Sequence, residues 1–154
     1  MDREGYIQAA RAVRDANNPR AVAKAQKSVW TLSPFGGGRR ILKVIAAAVR
    51  RTETELRAIP LPPDDQASLE RHFLQPWSEL AAFLEDLVQS TRARWLTPSA
   101  AFRLLENGPP DRPEDIEFCV TYGLDDHTPE DGNGYSTRRG VPTWPPGQLG
   151  DGQV

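Results

Sequence analysis

The sequence predicts an all-α fold: a helical bundle of about four main helices plus one or two short ones over residues 1–128, followed by a disordered tail over 129–154. Three observations carry that expectation. Leu42, Ile45, Val49, Thr52, Leu56 and Ile59 fall at alternating steps of three and four, which lines one face of a helix. A second stripe, Leu69, Phe73, Leu80, Leu84 and Leu87, follows Pro60-Leu61-Pro62-Pro63-Asp64, a hinge too short for anything but an antiparallel return. From Pro129 to Val154 there are 4 prolines and 6 glycines in 26 residues, more chain entropy than the few apolar groups there offset.

A first helix is expected over Arg3–Ala16, with Tyr6, Ile7, Ala10 and Val13 inward and Asn17-Asn18-Pro19 ending it. A second runs from Pro19 or Arg20 to about Trp30, proline suiting its first turn. Ser33-Pro34-Phe35-Gly36-Gly37-Gly38 reads as a loop, since each glycine costs a helix about 1 kcal/mol relative to alanine. The third helix covers Arg39–Ile59. The fourth, Asp65–Val88, has Asp64 or Asp65 as its cap. Pro76 removes a hydrogen bond from it, yet the stripe keeps its phase across the proline, so one kinked helix is expected. Thr97-Pro98 caps and starts a short helix that Asn107-Gly108-Pro109-Pro110 stops. A last one from Pro113 to Tyr122 closes at Gly123 in a left-handed cap.

The chain of 154 residues is one domain's worth and, without the tail, still leaves roughly 125 residues to build a core. Its single cysteine, Cys119, excludes an internal disulfide and fits a reducing compartment. The N-terminus shows no apolar signal region, and the longest apolar run, Val44 to Val49, is far short of a membrane span, so a cytoplasmic location is expected. Charge is divided unevenly. Residues 1–60 hold 12 basic and 5 acidic side chains, a net +7, and residues 61–154 hold 7 and 16, a net −9. Such a division marks either a polyanion-binding face with an acidic tail or two halves that attract each other.

Tyr6 to Ala16 as an opening helix, Glu55-Leu56-Arg57-Ala58-Ile59 leading into Leu61-Pro62-Pro63-Asp64, the long helix through Leu87 and the closing Tyr122-Gly123-Leu124 together resemble a loose group of small helical proteins common in actinobacteria. The resemblance covers Tyr6 to Leu124 and implies a helical bundle with no activity to carry over. Many members are exported and join the first helix to the end of the last by a cysteine pair. Here Ala12 and Val13 stand at the first of those places and Asp125 to His127 at the second, a departure that argues against export.

Candidate chemistry is sparse. Gly36-Gly37-Gly38-Arg39-Arg40 before a helix, with Lys43 one turn on, is a candidate anion site, because backbone N–H groups, a helix dipole and guanidinium groups converge there. It lacks the lysine and hydroxyl of a nucleotide-binding P-loop. Lys43, Arg50 and Arg57 form a basic stripe at heptad spacing, which with Glu53 pairing to Arg57 reads as a solvated outer face. Asp131-Gly132-Asn133-Gly134-Tyr135 resembles the middle of an EF-hand loop, but Pro129 and Gly140 occupy the places of its first and last ligands, so no calcium site is expected. His72 and His127 are the only histidines, no Cys/His cluster exists, and neither histidine has an evident nucleophile, so no metal, cofactor or catalytic residue is assigned. Cys119, between Phe118 and Val120, reads as a small core hydrophobe. The function expected is a non-catalytic protein-binding or regulatory module, Trp30, Trp77 and Trp95 being core residues or partner anchors. The alternative is a module for nucleic acid or another polyanion that uses Arg39, Arg40, Lys43, Arg50 and Arg51.

Overall fold

A computed structural model describes residues 1–31, 37–91 and 96–125. The described residues form helices and no strand, in the order α1 (Arg3–Thr31), α2 (Gly37–Arg57), α3 (Gln66–Leu69), a π-helical turn (Glu70–Leu74), α4 (Gln75–Ser90), α5 (Pro98–Glu106) and α6 (Pro113–Tyr122). The all-α class stands. The tail expected to be disordered, together with Gly36, His127 and the Asp131–Tyr135 segment, lies outside the described residues.

The first correction concerns Asn17-Asn18-Pro19, which does not end a helix: α1 runs unbroken through it for 29 residues. Asn17 is buried, and its side-chain amide donates to Val13 O at 3.0 Å and across to Glu55 Oε2 at 2.9 Å. An asparagine that bonds its own preceding turn and the neighbouring helix holds the backbone helical where its local preference is to break it. The second correction is the start of α2, which includes Gly37 and Gly38. Gly38 N–H donates to Leu96 O at 2.9 Å, and a Cβ on Gly38 would come within 2.6 Å of that oxygen and closer still to Thr97 O. Glycine stands there because another stretch of backbone crosses directly over it.

α2 is the central element, packed against α1 on one side and against α4 and α5 on the other. Leu42, Ile45, Val49 and Leu56 are fully or almost fully buried, and the seam with the next helical run is made by Leu69, Phe73, Leu74, Trp77, Leu80, Ala81 and Leu84. Pro76 is accommodated as one continuous helical run, as expected, by a specific device. The π-helical turn ends with Gln75 N–H bonded to Glu70 O, five residues back, immediately before the proline. Widening the turn by one residue relieves the clash that a proline ring makes with the carbonyl four residues earlier. That carbonyl, His72 O, takes a bond from the Cys119 thiol of α6 at 3.9 Å.

α5 and α6 keep their expected ends. Thr97 Oγ1 accepts Ala100 N–H at 3.2 Å, and Gly123 closes α6 at φ 99° with Leu124 N–H bonded to Cys119 O at 2.9 Å. Asp65 precedes α3 without capping it by its side chain; its carboxylate instead accepts the Tyr122 hydroxyl at 2.8 Å. Burial and that carboxylate push the Tyr122 hydroxyl up to about 12. The end of α6 is fastened to α1 by three guanidinium groups. Arg3 lies 4.2 Å over the Tyr122 ring, Arg11 donates twice to Gly123 O at 3.0 and 2.7 Å, and Arg14 donates to Leu124 O. Cations gathered just past the C-terminus of a helix meet the negative end of its dipole.

A candidate anion-binding groove between the first two helices

On α1, Asn17, Arg20, Ala21 and Lys24 follow at steps of three, one and three; on α2, Arg40, Lys43, Val44, Ala47, Ala48 and Arg51 repeat the same steps. Each set therefore occupies one helical face, and the two faces meet along a groove of about 460 Å³. The volume lies within the range of ligand clefts, roughly 300–1,000 Å³. Its floor is apolar and built from small residues, with Ala21 buried and Val44 and Ala48 half-buried, while Arg20, Lys24, Arg40, Lys43 and Arg51 stand exposed around it. No carboxylate lines the groove among the described residues.

One acidic group governs the far end. Glu55 accepts Arg51 Nε at 2.8 Å and Asn17 Nδ2 at 2.9 Å, and these bonds hold its carboxyl below the usual range. Arg51 is thus oriented by its own helix, and Arg20 lies close enough to Glu55 to favour its charged form. Lys24 of α1 and Arg40 and Lys43 of α2 complete the cationic lining.

The residues singled out from the sequence are divided by the structure. Arg40 and Lys43 are in the groove. Gly37 and Gly38 are buried, and the Gly38 N–H is already bonded to Leu96 O. Arg39 turns away, donating to Thr91 O at the end of α4 at 3.0 Å. Gly36 lies outside the described residues. The stripe Lys43–Arg50–Arg57 is also divided: it stays partly exposed and has the expected Glu53–Arg57 pair, but Arg50 and Arg57 are in addition bonded to the neighbouring helical run. Arg50 grips Glu85 of α4 with two bonds, at 2.7 and 2.9 Å, and bonds Glu53 as well. Arg57 donates to Glu53 at 3.0 Å, to Glu70 at 3.0 Å and to Ser78 at 2.7 Å. Glu53, 6% exposed, sits at the centre of this network and also accepts the Ser78 hydroxyl. Burial alone would raise its carboxyl, but the bonds from Ser78, Arg57 and Arg50 outweigh that and hold it below the usual 4.5. Arg50 and Arg57 are structural cations between α2 and α4. Arg20 and Lys24 were missed because a helix was expected to end at Asn17; carried through Pro19, the spacing of Asn17, Arg20 and Lys24 matches that of Arg40, Lys43 and Ala47.

A second polar constellation was not foreseen. His72 Nδ1 lies 2.8 Å from Asp115 Oδ1, and the other oxygen of Asp115 accepts Arg112 Nε at 2.8 Å. A carboxylate that orients an imidazole is one part of a general base. The cleft beside it, lined by Phe73, Pro76, Trp77 and Cys119 among others, measures about 20 Å³, room for roughly one water and no substrate. The Cys119 thiol is bonded to the His72 backbone oxygen. The arrangement ties α6 to the π-helical turn. Among the described residues no three His, Cys, Asp or Glu side chains come together as metal ligands, and no helix is long and apolar enough to cross a membrane. No protein-family model, curated protein or solved structure matches the chain.

Proposed function

We propose that this chain is a non-catalytic binding module that takes an acidic segment of a partner protein into the groove between α1 and α2. The observation that supports this is the pairing of five cationic side chains with an apolar floor of Ala21, Val44, Ala47 and Ala48 in one cleft. An amphipathic helix carrying Asp or Glu beside its apolar stripe matches both properties, the stripe covering the floor and the carboxylates meeting the cations. Nucleic acid is the second reading, supported by the same five cations. It makes no use of the apolar floor, and phosphate recognition is served by charge alone. The single thiol of Cys119, buried in the core, suits a reducing compartment such as the cytoplasm.

The experiment is a fluorescence-anisotropy titration with two labelled probes, an acidic amphipathic peptide of about 15 residues and a DNA duplex of similar charge. The peptide is expected to bind and to weaken at least about tenfold when Arg40 and Lys43 are both replaced by alanine, with unchanged melting temperature. Removing the peptide's leucines should weaken it further. Tighter binding of the duplex, insensitive to any apolar group and falling steeply with salt, would replace the protein partner by a nucleic acid. Binding of neither probe would overturn the groove as a partner-binding site.

A further inference from the structure

We infer that the acidic start of the chain's own tail, Asp126 to Asp131, seats in the α1–α2 groove and competes there with the partner; this rests on the groove being the binding site proposed above. The described chain ends at Asp125, fastened to α1 one turn before the first groove residue, Asn17. Arg14 holds Leu124 O, and Arg14, Asn17, Ala21 and Lys24 follow at steps of three, four and three, so the stripe that fastens the end of α6 runs on as one wall of the groove. From Arg14 to Arg20 the helix rises about 9 Å, whereas six extended residues span up to about 20 Å. The segment that follows this point is therefore long enough to span to the cations.

Charge selects the same occupant. Asp126, Glu130 and Asp131 supply three carboxylates within six residues, and the groove supplies Arg20, Lys24, Arg40, Lys43 and Arg51 with no carboxylate on its lining. The segment brings no apolar stripe to cover Ala47 and Ala48, so it answers only half of what the groove offers. A tethered occupant needs no more. Held at an effective concentration in the millimolar range, even a weak contact occupies the site, and a partner that engages the floor as well displaces it.

The test uses the full-length chain with Asp126→Asn, Glu130→Gln and Asp131→Asn combined, and two readouts. In the first, the acidic amphipathic peptide is titrated into wild type and variant; the variant is expected to bind about fivefold more tightly at low salt, the difference closing at about 0.5 M salt. In the second, with no probe present, the amide resonances of residues 126–134 are compared between wild type and a chain carrying Arg40→Ala and Lys43→Ala. Tail amides that move on changing side chains more than 80 residues away in sequence support docking. Equal peptide affinity in wild type and tail variant, with tail amides that ignore the groove, overturns the inference and leaves the groove as a binding site. Tail amides that respond while neither chain binds the peptide sustain the docking and instead overturn the proposed partner.

Discussion

Glu53 illustrates how one buried carboxylate decides the use of several arginines. It is enclosed between α2 and α4 and satisfied by Arg50, Arg57 and Ser78, with Glu70 and Glu85 completing the pairs of the two guanidinium groups. Glu53→Gln should cost about 1–3 kcal/mol, the scale of hydrogen bonds to a charged group, and Arg50→Ala more than the 0.5 kcal/mol or so of an ordinary surface change. The sign of the pH effect follows from the direction of the shift. A carboxyl held lower in the folded chain than in the unfolded one stabilises the fold above about pH 4.5 and loses that contribution as pH falls through its folded value. Melting temperatures taken between pH 6 and pH 3 should therefore fall more steeply for wild type than for Glu53→Gln; parallel profiles would remove Glu53 from the acid response. Tyr6 behaves oppositely. Its hydroxyl is fully buried and has no hydrogen-bond partner among the described residues, and burial pushes its ionisation upward. Tyr6→Phe should leave stability unchanged or raise it slightly, while Tyr122→Phe, which breaks the bond to Asp65, should lower it by about 1 kcal/mol in thermal or urea unfolding.

Among the elements, the start of α2 is the most exacting. Gly38→Ala places a methyl group against the backbone carbonyls of Leu96 and Thr97, which cannot rotate away as a side chain would. A loss of about 1–3 kcal/mol is expected, measured by urea unfolding; a neutral result would mean that the 96–97 segment does not cross α2 there. That contact is illegible in the sequence, where Gly36-Gly37-Gly38 shows only weak helix propensity. The same limit hid the continuity of α1, since the bond of Asn17 to Glu55 depends on a partner 38 residues away. What could be read was local and periodic. The α2 stripe, the return at Pro60 to Asp64, the Thr97 cap and the Gly123 stop each rest on residues a few positions apart, and each is found. The Pro76 site lies between these cases: persistence of the apolar stripe implied a continuous helix, but the π-helical turn that permits it, and the Cys119 thiol on His72 O, required the packing of α6. Of the candidate site, Arg40 and Lys43 were legible as charge before a helix. Their partners Arg20 and Lys24 were not, because they arrive from another element.

Across the whole molecule charge is divided, +7 in residues 1–60 and −9 thereafter, and the basic excess falls into two groups. Part of the excess is structural: Arg50 and Arg57 pair with carboxylates of α2 and the following helical run, and Arg3, Arg11 and Arg14 hold the end of α6. Another part, Arg20, Lys24, Arg40, Lys43 and Arg51, is gathered around one groove with an apolar floor, on the side of α2 turned away from α4. Like charges concentrated on one cleft repel each other and destabilise the compact chain, while a field of that sign draws in an anionic partner. Replacing Arg40 and Lys43 by alanine should accordingly leave the melting temperature unchanged or raise it, and the gain should shrink at high salt. The most direct measurement is a chemical-shift map of the isotope-labelled protein titrated with the acidic amphipathic peptide. The expected result is perturbation concentrated at Ala21, Val44, Ala47 and Ala48 with the flanking cations, sparing the His72–Asp115 face; perturbation centred on that other face, or none anywhere, would contradict it.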